Sequence, residues 1–288
     1  MDTDDELRLP PALADRTGDL LRRVFARAQR SAARHLPPGR HGRDMGLLIT
    51  IDAAGPLSQR RLGEILHVNR SVMVKLADSL EEEGLLRRER DPADRRNYAL
   101  STTAEGKAAL AELSESAVRG DADLTAALTK AERARLGVLL RRILPDLPPA
   151  LPDKLTRLNG FLVPRAYFRI REQTEAALGA VGIALRDVGM LAELAQIEPC
   201  PQQRLAESLG VSGPAVVARV AELEKRGLIE RRRNPQDRRE HLLSLTARGR
   251  SRLDEAITAL DRVQAEVAER VGAGDVAELN RLLAKIAD

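Results

Sequence analysis

Between residues 69 and 84 the apolar positions Met73, Leu76, Ala77 and Leu80 recur at spacings of three and four, with polar residues between them. That period lays one apolar stripe along a helix that buries it. Asn69 or Ser71 is placed to cap its start, and Gly84 to end it just past the last turn. A preceding helix, with Ser58 as its N-cap, carries Leu62, Ile65 and Leu66. The segment from Leu86 to Ser101 is too charged and too short for another helix. Asp91-Pro92 with Asp94 at its centre is turn chemistry, flanked by short strands. Helix, turn, helix and basic hairpin in this order predict a winged helix–turn–helix.

The flanks are helical as well. Residues 13 to 36 carry a long helical pattern closed by HLPPGRHG, and residues 44 to 54 a second one ending at Gly55-Pro56. After the hairpin, Thr102 or Thr103 caps a long helix, and Glu105 stands three residues after Thr102 as the far side of a capping box. A last helix, from about Lys130 to Leu144, aligns Leu136, Leu139, Leu140 and Ile143.

The same plan then returns. A constant offset of 143 positions aligns the chain with itself, without a gap, from Leu20 to about Leu144. Phe25 falls on Phe168, Asp44 on Asp187, Gly84 on Gly227 and Ile143 on Ile286. Between Pro56 and Gly106, 23 of 51 positions are identical in the second copy. So long a period duplicates a whole domain. The expected organisation is one repeat over 1–144, the Pro-rich semi-rigid linker PDLPPALPD over 145–153, and a second repeat over 154–288. The first helix of the second copy contains Pro164, which should kink or restart it. The expected fold class is mainly α with small β-hairpin wings, two tandem winged helix–turn–helix domains forming a single-chain pseudo-dimer.

Composition adjusts this picture only slightly. The 288 residues are 43% hydrophobic, enough for a core, and only 2% aromatic, with Ala and Leu dominant. The formal charge is a modest +4, yet the isoelectric point is near 9.5 and arginines cluster on the hairpins. Such clustering points to a polyanionic partner. The acidic, polar N-terminal stretch has no apolar core of a signal peptide, and no run approaches the roughly 18 apolar residues of a membrane span. One cysteine allows no internal disulfide, which fits a reducing cytoplasm, the expected location.

The candidate chemistry is nucleic-acid recognition. A recognition helix enters the major groove by its N-terminal turns. Opposite the apolar stripe stand Ser71 and Lys75, with Asn69 and Arg70 at the tip; these are donors suited to base edges and phosphates. The wing adds Arg87, Arg88, Arg90, Arg95 and Arg96, a set matched in the second copy by Arg231, Arg232, Arg233, Arg238 and Arg239. A narrow minor groove attracts inserted arginine. Asp94 and Asp237 are placed to hold a neighbouring arginine in a fixed fork. The second recognition helix offers Ser212, Gly213, Pro214 and Ala218 at the corresponding positions, with Arg219 at the edge of its face. The two reading heads should therefore read unequal half-sites.

At the hairpin the pattern narrows further. DPADRR (91–96) and NPQDRR (234–239), followed by LSTTAEG and LSLTARG, resemble the multiple antibiotic resistance regulator (MarR) family. The resemblance covers nearly the whole chain, twice. It implies a DNA-binding transcriptional regulator, most often a repressor, whose members carry one such copy each and work as homodimers. This chain resembles such a dimer fused head to tail. It would bind an imperfect palindromic operator as a monomer acting as an internal dimer, and be released by a small ligand. The family often builds a ligand pocket near the first helices, where Phe25, Tyr167 and Phe168 lie, although core packing is the simpler role for these rings.

Other chemistries find little support. His35, His41, His67 and His241 are scattered without ligand spacing, so no metal and no cofactor is expected. Cys200 precedes the second copy's third helix, whereas oxidant-sensing members of the family carry a thiol in the first helix, so an inert thiol is expected. No Gly-rich phosphate loop and no nucleophile–base arrangement is present, so an enzyme is not expected. A protein-interaction module that has lost DNA binding is the alternative; arginines kept in both wings argue against it.

Overall fold

The computed structural model describes residues 13–14, 16–66, 68–90, 98–147, 151–236 and 240–288. The first repeat runs α1 (Thr17–His35), α2 (Gly42–Ala54), α3 (Gln59–Leu66), α4 (Arg70–Glu82), β1 (Leu86–Arg90), β2 (Tyr98–Thr102), α5 (Ala104–Leu124) and α6 (Lys130–Ile143). After a short α7 (Asp153–Thr156) the second runs α8 (Asn159–Ala180), α9 (Leu185–Ile197), β3 (Cys200–Pro201), α10 (Gln202–Leu209), α11 (Gly213–Lys225), β4 (Ile229–Arg233), β5 (His241–Leu245), α12 (Ala247–Val271) and α13 (Ala273–Ala287). The fold is mainly helical with small antiparallel sheets, a winged helix–turn–helix occurring twice. No described helix is long and apolar enough to cross a membrane.

Helix ends follow the caps. Asn69, rather than Ser71, caps α4: its Oδ1 accepts from Val72 N at 2.9 Å. Ser58 accepts from Arg61 N at 3.2 Å at the head of α3. Thr103, rather than Thr102, caps α5 through Gly106 N, so the box expected between Thr102 and Glu105 does not form. A capping box forms instead at α6, where Thr129 and Glu132 satisfy each other's backbone N–H. Pro164 does not restart its helix; α8 is continuous across it. Leu162, Val163, Ala166 and Tyr167 around it are buried, and their burial outweighs a backbone cost of about 3 kcal/mol for an interior proline.

In each wing a third strand position was not anticipated. β1 pairs antiparallel with β2 from Leu86↔Thr102 to Arg90↔Tyr98, and Leu57 forms a bridge to Leu100. The second sheet is ordered β3-β5-β4, with Cys200 opposite Leu243. Leu57 and Cys200 are corresponding positions of the two repeats.

The chain forms two compact units, and each draws on both repeats. One takes residues through Leu20 together with Phe168–Val276. Its core joins Leu13 to Leu178, Leu191, Leu205, Val220 and Leu243, and Gln264 bonds Thr17 at 3.0 Å. The other takes Leu21–Tyr167 together with Ala277–Asp288. In it Leu279, Leu282, Leu283 and Ile286 of α13 are buried, Arg135 pairs with Glu278 at 2.8 Å, and Glu132 accepts from Arg281 at 3.0 Å and Lys285 at 2.7 Å. These compact units divide the chain differently from the repeats read in the sequence.

Candidate nucleic-acid interface

Each recognition helix is held by the helix before it and by its wing. Met73, Ala77 and Leu80 of α4 are buried and Leu76 is half-buried, which leaves Asn69, Arg70, Ser71 and Lys75 exposed on the opposite side. Ser71 Oγ donates to Asn69 Oδ1 at 2.9 Å, so two of these four residues form one small network at the helix tip. The α4 dipole adds its positive end there, beside Arg70. On α11 the buried set is Val216, Val220 and Leu223. Ser212 occupies the N-cap without a side-chain bond, and Gly213, Pro214, Ala215, Val217 and Ala218 are exposed.

Arg219 also pairs within the protein. Its Nη1 lies 3.3 Å from Oδ1 of Asp187, while Arg226 donates to Oδ2 of the same carboxylate at 2.8 Å. Asp187 is only 2% exposed, and a carboxylate so buried requires this pairing. Arg219 thus ties α11 to α9. The corresponding acid of the first repeat, Asp44, lacks such a cation at hydrogen-bond distance among the described residues. It accepts from His41 N at 2.8 Å, and burial raises its pKa.

Two wing arginines are clamps as well. Arg88 binds Asp78 and Glu81 of α4. Its counterpart Arg231 donates to Glu224 of α11 at 2.9 Å. Each hairpin is thereby fixed against the C-terminal half of its recognition helix. Arg90 lies 4.8 Å over the exposed Tyr98 ring, and Arg87, Arg232 and Arg233 are exposed. In the second wing Asn234 shapes the turn, accepting from Gln236 N at 3.0 Å and donating to Glu240 at 2.7 Å. Asp94, Arg95 and Arg96, like Asp237, Arg238 and Arg239, lie outside the described residues. On α3, Arg60 and Arg61 are exposed cations that sequence reasoning passed over, since i,i+4 and i,i+3 pairing with Glu64 disguises them as an ordinary solvated face.

The glycine of each L-S-x-T-x-x-G segment has a steric reason. A Cβ on Gly106 would meet the Leu85 carbonyl oxygen at 2.0 Å, and one on Gly249 the Leu228 carbonyl oxygen at 2.0 Å. Wing, recognition helix and following helix converge at these points.

Away from the reading heads, Phe25 stacks on Tyr167 with centroids 4.8 Å apart, and Tyr167 is buried. Phe168 is 47% exposed. The guanidinium of Arg165 lies 3.6 Å over the Phe161 ring and donates to the Phe161 and Leu66 carbonyls. Burial and the neighbouring Arg43 push its pKa down to about 10. Cys200 is fully buried, and burial pushes its thiol up, which disfavours the reactive thiolate.

The MarR family model matches twice, at residues 44–98 and 186–241, each match holding one recognition helix. A protein assigned to transcriptional regulation of the hcr operon in Thauera aromatica is 37% identical over 139 residues, 46% of this chain and 81% of that protein. Among solved structures, the transcriptional repressor CouR bound to a 23-mer DNA duplex is 32% identical, with a TM-score of 0.42 over 47% of this chain and 96% of its own. PcaV from Streptomyces coelicolor, in complex with its natural ligand, is 27% identical, with a TM-score of 0.42 over 46% and 93%. The chain belongs to the MarR family of transcriptional regulators and carries the family's DNA-binding domain twice.

Proposed function

We propose that the protein is a sequence-specific repressor whose two reading heads, carried on one polypeptide, occupy the two halves of a single operator. The observation that carries this reading is the retention, in both repeats, of a wing clamped to an exposed recognition helix. A duplicate that had abandoned DNA would have no need of either clamp.

Recognition then divides into two kinds of contact. Asn69, Arg70, Ser71 and Lys75 read base edges and phosphates in one half. Arg90, Arg95 and Arg96, with Arg233, Arg238 and Arg239, neutralise phosphate or enter the minor groove and hold both heads on the duplex without specifying sequence. Because one gene ordinarily supplies both heads of a dimer, its operator is symmetric; a fused pair is free to diverge, and α4 and α11 have done so. The operator is an imperfect palindrome, and the chain acts on it as an internal dimer.

Release by a small ligand belongs to the same reading. Arg165 is a half-buried cation with Arg43 nearby, and it touches the last residue of α3 through the Leu66 carbonyl. A ligand carboxylate there would offset the two charges and bear on the helix–turn–helix.

Selection of binding sites from a randomised DNA pool with the full chain tests this function. A bipartite sequence should emerge, with half-site centres about one helical turn, 34–36 Å, or a multiple apart. Recovery of no preferred sequence would refute it.

A further inference from the structure

The exposed side of α11 is apolar where that of α4 is polar. Pro214, Val217, Ala218 and Ala221 are all exposed, and Val217 keeps 49% of its surface open to solvent. Their counterparts on α4 are Ser71, Val74, Lys75 and Asp78. Three of these four positions change from polar to apolar, and the fourth is valine in both helices. A shallow cleft toward the preceding turn adjoins Val217; Ala206, Val211 and Gly213 line it together with Gln202, Gln203 and the exposed Glu207. Such a helix surface offers no side-chain hydrogen bond to a base edge.

Resting on the DNA reading above, we infer that α11 reads its half-site through the C5 methyl groups of thymine. Three features of the surroundings point to DNA as the occupant. The apolar residues begin in the first turn of the helix, the part that enters a major groove. The wing strand beside it presents Arg233 and, paired with Glu230, Arg232, both exposed, and Arg204 is exposed on α10. The helix surface is therefore apolar at its centre with cations beside it, which suits a groove walled by phosphate. Over its first two turns α11 itself bears no carboxylate; Glu207 stands on the far side of the cleft, and Glu222 comes one turn beyond Ala218. The thymine methyl is the apolar group a major groove displays, and alanine and other small apolar side chains are the partners that meet it. The two heads thus discriminate by different chemistry, donors in one and methyl contacts in the other.

The test uses the full chain and its selected site, with the half belonging to α4 assigned by Lys75→Ala. Thymines of the other half are then replaced singly by deoxyuridine, which removes the methyl and leaves every hydrogen-bonding edge in place. Affinity should fall about fourfold per contacted thymine, the worth of burying one methyl-sized group. Val217→Ser, at an exposed position that leaves the melting temperature unchanged, should show a similar fall on thymine DNA and lose its sensitivity to deoxyuridine at one position. Undiminished binding to the deoxyuridine half, with the Lys75→Ala effect and salt dependence intact, would overturn the inference while leaving DNA binding in place. That is also the outcome if α11 docks on a protein. A selected half without thymine preference would overturn it equally. If no sequence is selected at all, the DNA reading falls and this inference with it.

Discussion

The Thr103 hydroxyl donates a 2.7 Å hydrogen bond to the carbonyl of Gly84, linking the start of the helix after the wing to the residue that ends the recognition helix. Thr246 and Gly227 repeat it at 2.7 Å. In each repeat the same threonine caps its helix through a glycine N–H three residues on, and the threonine N–H bonds the carbonyl that the glycine approaches. The motif L-S-x-T-x-x-G is thus a structural lock on the reading head.

Substituting Gly106 by Ala tests that lock. The added methyl would sit 2.0 Å from a backbone carbonyl oxygen, so wing or helix must move. Overpacking of this kind costs about 1–3 kcal/mol and often more where backbone is the obstacle. Urea unfolding should report a loss in that range or above for Gly106→Ala and for Gly249→Ala. A change below about 0.5 kcal/mol, the usual limit for a surface substitution, would contradict the geometry.

Arg219→Ala should act on stability and leave sequence preference alone. The guanidinium faces Asp187, 2% exposed, and Arg226 remains as a second partner. Loss of one charged partner from a buried carboxylate costs about 1–3 kcal/mol. The selected operator should be unchanged. A shifted base preference at one position would return Arg219 to the reading face.

Glu132 sets an acid limit on the unit that contains it. Bonds from Lys285, the Thr129 backbone and Arg281 hold its pKa down at about 2, against an ordinary value of 4.5. A depressed carboxylate stabilises the folded state fully above the unfolded pKa, and that contribution disappears as pH falls through the folded one. Glu132→Gln should therefore be less stable than the parent at neutral pH, with the difference closing between pH 4.5 and about 2. A gap independent of pH across that window would show that the carboxylate charge plays no part.

Deleting residues 277–288, the end of the second repeat, should damage the unit that carries α4. Leu279, Leu282, Leu283 and Ile286 are buried in that unit, and each buried side chain of this kind contributes about 1.5–3 kcal/mol. Hydrogen exchange should show lost protection across α2 and α5. Unchanged protection there would contradict the assignment of these residues.

Much of this was legible in the sequence because local rules decide it. The stripe of α4, a cap at Asn69 or Ser71, its stop at Gly84 and the hairpin from Leu86 depend on neighbours within a few residues. What was not legible depends on partners brought together by folding. Arg88 and Arg231 read as wing cations, since nothing within the hairpin itself shows that each turns back onto the recognition helix. Arg219 read as a groove residue because Asp187 lies 32 positions away. β3 spans only two residues, too few to show any alternation. Pro164 lies inside a continuous helix because burial around it overrides a local penalty. The difference between compact units and repeats escaped for the same reason: self-comparison aligns segments but does not say which core each one enters.

In the proposed function one polypeptide supplies both reading heads of one operator. Sedimentation of the protein with its selected duplex, over a range of protein concentrations above the dissociation constant, measures this directly. One chain per duplex should be found throughout, with a single binding transition and no dependence of the stoichiometry on concentration. Two chains bound to each duplex, assembling cooperatively, would contradict the account.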